Sequence, residues 1–216
     1  MYYDILKKSL LFKDMTETEF SDSLRLLKAK NQNFKKGETI VSVGSILNGF
    51  GMVVNGTVQV GFSDIDGNEV IFANVTECET FGEAMCWLDV GEIPLSITAF
   101  SDCEILWIFP DALRENQISP LGNELKSRYL SILAKKTLLM NERIQILAKP
   151  TVRQKIITFL SQCTTRYGGK TFEVPFNRET LALYLGVNRS ALSRELSLMQ
   201  KEGIIEFYKN TFKILV

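Results

Sequence analysis

The run "RETLALYLGVNRSALSRELSLMQKEG", residues 178–203, leaves the chain little choice of local structure. "RETLALYLG" has helical periodicity and stops at Gly186. Asn188 then stands where a second helix needs its N-cap, and Gly203 ends that helix. Within the second helix Leu192, Leu196 and Met199 fall at i, i+4 and i+7, a stripe suited to burial. The opposite face is Arg189, Ser190, Ser193, Arg194 and Ser197. It carries no carboxylate, although an ordinary solvated face mixes acidic with basic residues. Two helices meeting at a short Gly-containing turn, with Val187 wedged between them, thus present a cationic, hydroxyl-bearing face to the outside.

The flanking sequence extends the pattern. "IIEFYKNTFKILV" reads as a β-hairpin turning at Lys209-Asn210, and "TFEVPF" as a short strand ahead of the first helix. Upstream, Pro150 marks a boundary, Thr151 is placed to cap a helix over "VRQKIITFLSQCTTRYG", and Gly168-Gly169 stops it. Helix, turn, helix and hairpin in this order make a winged helix-turn-helix, whose second helix enters a major groove of duplex DNA. The side chains suit that use. Arginine donates a bidentate pair to guanine O6 and N7, and serine meets a base or a phosphate. Arg189 and Arg194 are five residues apart, close to a turn and a half, so one groove can receive both. Glu195 points off this face, and Glu202 lies near the far end. A solvated helix that carries arginines is the plain alternative; the turn, the strand and the hairpin weigh against it.

Charge divides in the same sense. The formal net charge is zero, yet residues 148–216 hold 11 Lys and Arg against 5 Asp and Glu, while residues 1–147 hold 14 against 20. Between Lys36 and Arg114 there is no Lys or Arg, and that interval carries 12 Asp and Glu. Halves of opposite sign imply modules with different partners, the basic one fit for a polyanion. The chain has no histidine. The commonest general base and metal ligand are therefore missing, which speaks against triad hydrolases, zinc hydrolases and histidine-ligated metal barrels. Cys78, Cys86, Cys103 and Cys163 form no C-x-x-C pair. They indicate neither a zinc ribbon nor a clustered iron–sulfur site, and read as reduced, mostly buried thiols. No apolar run approaches the roughly 18 residues of a membrane span, and the N-terminus lacks a secretory layout. A cytoplasmic protein with no membrane partner is expected.

The acidic half has a different texture. Residues 5–30 show helical periodicity, with a capping-box pattern at Thr16 and Glu19. From about 33 to 109 come short β-branched or aromatic runs: "ETIVSVG", "FGMVVNGTVQVGF", "VIFANV", "LSITAF" and "CEILWIF". Turn signals such as Asn55-Gly56 and Asp66-Gly67-Asn68 separate them. Strands at this spacing suggest an antiparallel barrel or roll. Pro110 closes the region, and a break at Pro120 to Gly122 precedes a helical run to about Lys149. There Leu130, Leu133, Thr137, Met140, Ile144 and Leu147 form an a/d seam. The seam alone fits a core helix of its own domain. A second stripe, Leu125, Tyr129, Ile132 and Leu139, lets the helix pack its own domain on one side and another chain on the other. The expected class is α+β. It comprises an N-terminal antiparallel, jelly-roll-like β-roll over residues 1–110, a linker and dimerisation helix over 111–149, and a winged helix-turn-helix over 150–216.

At "FNRETLALYLGVNRSALSRELSLMQKEGII" the sequence resembles the bacterial Crp/Fnr transcription regulators, and "FKKGETIV", "VVNGTVQV" and "FGE" support the likeness. It covers most of the length, and the order of modules agrees. The resemblance implies a homodimer that reads a near-palindrome of double-stranded DNA, with recognition helices about one DNA turn apart, and RNA polymerase as a partner. By position, Arg189, Ser190, Ser193 and Arg194 match the base-reading helix. Ser190 stands where the family often has Glu, so the common half-site is not carried over. Arg178 and Thr180 match phosphate-contacting positions; Asn188 and, more weakly, Lys209 in the wing join them in positioning the DNA.

The family's cyclic-nucleotide sensors place Arg-Ser or Arg-Thr about ten residues after a Gly-Glu. Here Gly82-Glu83 is present, and the matching place reads Ile93-Pro94. A buried phosphate needs a cation or many donors, and residues 37–113 offer no cation. The polar pair from the dimer helix becomes Leu138-Leu139. Neither the cysteine cluster of the oxygen-sensing branch nor a haem histidine is in the sequence. The expectation is a small effector of unidentified structure, apolar or cationic and not a cyclic nucleotide, with no cofactor, near Gly82, Glu83, Met85, Cys86, Trp87, Leu138 and Leu139. Met85 and Trp87 as plain core is the competing reading. Two other classes stand beside a DNA-binding regulator. One is a ligand-binding β-barrel that acts on a protein partner. The other is a histidine-free β-barrel enzyme using paired carboxylates, which would lack a metal cluster or phosphate loop to work with.

Overall fold

The computed structural model describes residues 2–63, 69–115 and 119–215. The chain divides into two compact units, Met1–Ala134 and Lys135–Val216.

The first unit opens with helices α1 (Tyr2–Leu6) and α2 (Glu17–Leu26). The capping box at the start of α2 is present, with Glu19 accepting from the Thr16 backbone and the Thr16 hydroxyl accepting from Glu19 N–H. The helical span expected over 5–30 is nevertheless interrupted. Residues 7–14 are turns that bury Leu11 and Phe12, Asp14 has φ 60°, and a strand already begins at Lys30. Eight strands follow: β1 (Lys30–Phe34), β2 (Thr39–Val41), β3 (Phe50–Asn55), β4 (Val58–Ser63), β5 (Glu69–Val75), β6 (Thr80–Phe81), β7 (Ser96–Ala99) and β8 (Cys103–Ile108). A short helix, α3 (Glu83–Leu88), lies between β6 and β7. The strands make two antiparallel four-stranded sheets, ordered β1-β8-β3-β6 and β2-β7-β4-β5.

Why β3 reads as an unbroken apolar run is clear from its surroundings. Val53 and Ile105 face the interior of the roll with Val58, Ile97 and Phe81. Phe50, Met52, Val54, Leu106 and Ile108 face the other way, onto the N-terminal helices and the start of the long helix. A sheet covered on both faces has no polar side to alternate with. Strand β1, "KNQNF", is the opposite case: mostly exposed, it is held by its ladder to β8, with Lys30 opposite Trp107 and Phe34 opposite Cys103. Asn55-Gly56 does turn the chain, but not into a hairpin, since β3 and β4 belong to different sheets. Gly56 has φ 88°, and a Cβ there would lie 2.3 Å from the Asp102 carbonyl oxygen, so only glycine passes this crossing. The expected turn at Asp66-Gly67-Asn68 lies outside the described residues.

A 3₁₀ turn at Pro110–Leu113 closes the roll. Helix α4 (Pro120–Leu147) then runs 28 residues. Pro120 to Gly122, expected as a break, is instead its first turn: proline suits the first helical position, and the Ser119 hydroxyl accepts from Gly122 N–H at 3.1 Å. Leu125, Tyr129 and Ile132 of the second stripe are buried in the roll's helical core, whereas Leu139 is exposed. Along the seam Leu133 is part-buried against that core, and Leu130, Thr137, Met140, Ile144 and Leu147 are exposed, Met140 to 65%.

In the second unit α4 is followed by α5 (Val152–Tyr167), β9 (Thr171–Glu173), α6 (Arg178–Leu185), α7 (Arg189–Lys201), β10 (Ile205–Tyr208) and β11 (Thr211–Ile214). Thr151 caps α5, and Gly168 ends it in the left-handed region. The hairpin turns at Lys209-Asn210, and β9 completes a sheet ordered β10-β11-β9. One core holds Ile146 of α4, Ile156, Phe159 and Leu160 of α5, Leu181 and Leu185 of α6, and Leu192, Leu196 and Met199 of α7.

Candidate nucleic-acid interface

The turn between α6 and α7 is fixed residue by residue. Asn177 Oδ1 accepts from the N–H groups of Glu179 and Thr180, both at 2.9 Å, and starts α6. Gly186 ends it with φ 60°, and the N–H groups of Gly186 and Val187 return to the carbonyls of Leu183 and Ala182. Lys155 Nζ donates to the Gly186 carbonyl at 3.2 Å, placing a cation at the negative end of α6. Val187 packs into the core between the helices. Asn188 caps α7, its Oδ1 accepting from Ser190 N–H at 2.9 Å and Ser190 Oγ at 2.6 Å.

These constraints set the roll of α7 about its axis. With Leu192, Leu196 and Met199 buried, Arg189, Ser190 and Arg194 are exposed and Ser193 is part-buried. Among the described residues neither Arg189 nor Arg194 makes an ion pair or side-chain hydrogen bond. Two solvated guanidiniums on one face, with no carboxylate among them, form a donor set for an external acceptor.

A residue that sequence reasoning missed shapes this face from behind. Arg153, in the first turn of α5, holds the carboxylates of Glu195 in α7 and of Glu202 at its C-cap. Its Nε donates to Glu195 at 2.6 Å, and its two terminal nitrogens grip Glu202 at 2.7 and 2.9 Å. The guanidinium keeps the Glu202 carboxyl below the usual carboxylate range. In sequence, the only trace is that Glu195 and Glu202 are seven apart, hence on one side of the helix.

The remaining expected positions behave differently from one another. Arg178 is not free: its guanidinium lies 5.0 Å from the Phe207 ring centroid and 5.8 Å from that of Phe212, and it donates to the Lys209 carbonyl at 3.1 Å. Burial lowers its pKa from the ordinary value. It braces the wing against α6. Thr180 is exposed, its hydroxyl directed to the Asn177 carbonyl at 3.2 Å. Lys209 sits exposed at the wing tip with φ 54°, its ammonium over the Tyr208 ring.

Two family models match the chain: the cyclic nucleotide-binding domain over residues 31–116 and the Crp-like helix-turn-helix domain over residues 154–216. The chain belongs to the Crp/Fnr family. Among curated relatives, the transcriptional activator protein FnrA of Stutzerimonas stutzeri is 25% identical over 204 residues, covering 90% of this chain and 80% of that protein. Among solved structures, the c-di-GMP responsive global regulator CLP of Xanthomonas campestris superposes with a TM-score of 0.60 at 16% identity, covering 93% of this chain and 100% of that one. DNR from Pseudomonas aeruginosa gives 0.52 at 20% identity, covering 100% and 94%. These two likenesses concern the fold. The molecule is a Crp/Fnr-type transcription regulator with a cyclic-nucleotide-binding-like domain and a DNA-binding helix-turn-helix.

In this Crp/Fnr chain the region expected to hold an effector is split. Gly82 caps α3 from the left-handed region, with φ 79°. Glu83 is buried, and its carbonyl accepts from the Tyr129 hydroxyl at 2.7 Å. Cys86 is buried in the helical core, where desolvation pushes its thiol up to about 11. Trp87 packs at a tilt against Tyr129, ring centroids 5.1 Å apart. A cavity of about 70 Å³ lies beside them, lined by Ile46, Leu47, Asn48, Met85, Asp89, Val90, Gly91 and Ile93. Of the expected residues only Met85 reaches it. Successive positions of a helix point about 100° apart, so Met85 packs toward the interior of the roll while Cys86 and Trp87 turn to the helical core. Leu138 and Leu139 belong to the second unit, where both are exposed. Arg114, just outside the cation-free interval, approaches the cavity but is engaged by Asp89 and the Cys86 carbonyl and lies over the Trp87 ring.

Proposed function

We propose that the protein works as a cytoplasmic homodimer that reads a near-palindromic operator in double-stranded DNA, acting by binding rather than catalysis, with RNA polymerase as a further partner. One observation carries this reading: Arg189 and Arg194 share the outward face of α7 and have no side-chain partner among the described residues. Arg189, Ser190, Ser193 and Arg194 read bases. Thr180, Asn188 and Lys209 position the phosphates, and Arg178 sets the wing that carries Lys209. Exposed leucine, methionine and isoleucine along α4 supply the seam for the second copy. Within the described residues no helix is long and apolar enough to cross a membrane.

The test is fluorescence anisotropy on genomic fragments with wild type and Arg194→Ala. Loss of a bidentate base contact costs roughly 1–3 kcal/mol and relaxes one base position. Equal binding by the two proteins removes α7 from the role. For the roll, the reading is a small apolar or cationic effector. It is supported by the apolar cavity wall at Ile46, Leu47, Met85, Val90 and Ile93, which favours the apolar alternative, since the Asp89 carboxylate there is already paired with Arg114. Titration calorimetry with cyclic AMP and cyclic GMP is expected to give no micromolar heat; such heat from either nucleotide overturns that reading.

A further inference from the structure

We infer that Arg153 is a positioning residue of DNA reading, because it holds Glu195 and Glu202 away from the phosphates that flank α7. The inference rests on the proposed role of α7. Glu195 follows directly on Arg194, and Glu202 caps the same helix at its C-terminus. Glu195 points off the outward face and Glu202 lies at its far end, but each directly follows a cation of α7, Arg194 and Lys201. A free carboxylate there repels phosphate and offers Arg194 or Lys201 a rival partner. Arg153 removes that freedom with three charge-assisted bonds of 2.6, 2.7 and 2.9 Å. The Glu202 pair is bidentate, the arrangement that arginine makes and lysine does not. Side chains in the clamp are a fifth to a third exposed, so water screens it less than an open surface pair. Arg153 comes from α5, so the clamp also fixes how α7 is turned relative to the helix behind it.

The charge count makes the idea separable from a direct phosphate contact. The trio carries one net negative charge; Arg153→Gln raises this to two, and Arg153→Gln with Glu195→Gln and Glu202→Gln leaves none. DNA binding is measured by anisotropy from low to high salt, on the full chain and well below each variant's melting temperature. Arg153→Gln is expected to bind about three- to tenfold more weakly at low salt, the gap closing as salt rises. The triple variant is expected to return to wild-type affinity or better. A purely structural role for Arg153 does not predict that rescue, since the triple variant restores no bond between α5 and α7. A triple variant as weak as Arg153→Gln overturns the inference and makes Arg153 a phosphate ligand or a packing residue. Arg153→Lys keeps the charge but cannot span both carboxylates, and covers the case of a glutamine variant that does not fold. It is expected to fall between the two, and wild-type affinity at every salt concentration overturns the clamp. The outcomes also distinguish the underlying reading. If Arg194→Ala weakens binding and Arg153→Gln does not, the clamp alone falls. If Arg194→Ala binds like wild type, the role of α7 falls first.

Discussion

The two units spend their arginines in opposite ways. In the roll unit Arg114 is committed to Asp89 and the Cys86 carbonyl, and Arg128 to Glu124 and to the carbonyls of Leu11 and Lys13. Both tie secondary structure together, and Arg25 pairs with Asp22. In the winged-helix unit Arg153 and Arg178 are likewise committed, to carboxylates and to aromatic rings. Among the described residues Arg189 and Arg194 are not. Lysines do not separate the units, but among the described residues the arginines left without an ion pair or hydrogen bond both lie on α7. What marks a surface for a polyanion is charge that the fold leaves unneutralised.

The largest expected effects test whether the units are independent. Leu192→Ala and Ile97→Ala each delete a fully buried side chain, one per unit, and each should destabilise its own unit by about 2–5 kcal/mol. Both tryptophans, Trp87 and Trp107, lie in the roll. Tryptophan fluorescence on thermal unfolding should therefore shift for Ile97→Ala and not for Leu192→Ala, with the order reversed for DNA binding. A common shift in both readouts breaks the comparison. Next in size come the arginines themselves. Arg194→Ala should cost roughly 1–3 kcal/mol of DNA affinity at an unchanged melting temperature. Arg114→Ala should cost about 1 kcal/mol of roll stability at unchanged affinity. Gly186→Ala follows: the left-handed backbone and a Cβ 2.8 Å from Leu147 Cδ2 should cost about 1–2 kcal/mol of winged-helix stability by circular dichroism.

The smallest effect should be the same in both units. Burial pushes Cys86 and Cys163 from 9.0 up to about 11. Because the folded value is the higher one, each thiol favours the folded state below pH 9, and that contribution is lost as pH climbs from 9 through 11. Alkylation of native protein at pH 8 should leave both unmodified; rapid labelling of one alone would reveal local opening in that unit.

The same division governs how far the residues could be read before the fold was seen. In the winged-helix unit nearly every boundary is a local signal. Thr151, Gly168, Gly186, Asn188 and the Lys209-Asn210 turn act within a few residues of themselves, and the exposed face of α7 follows from its apolar stripe. In the roll the decisive contacts are distant. Strand β1 has no apolar alternation and exists because β8 offers it a ladder some 70 residues away. The Asn55-Gly56 turn looks like a hairpin until β4 is seen to pair with β5 and β7. Residues 83–88, taken as a pocket wall, form a helix that turns Cys86 and Trp87 inward. Arg153 eluded reading for the same reason: which carboxylate an arginine finds is decided by packing, not by spacing.

Ile146 sits fully buried among Ile156, Phe159 and Leu160, although it belongs to the long helix that begins at Pro120. A fragment starting at Pro150, where the sequence invites a cut, would inherit an isoleucine-sized hole in a core built from fewer than 70 residues. At about 2–5 kcal/mol for such a void, against the 5–15 kcal/mol that holds a typical domain folded, much of its margin would be gone. The smallest piece able to stand alone should therefore begin inside α4, several residues before Ile146.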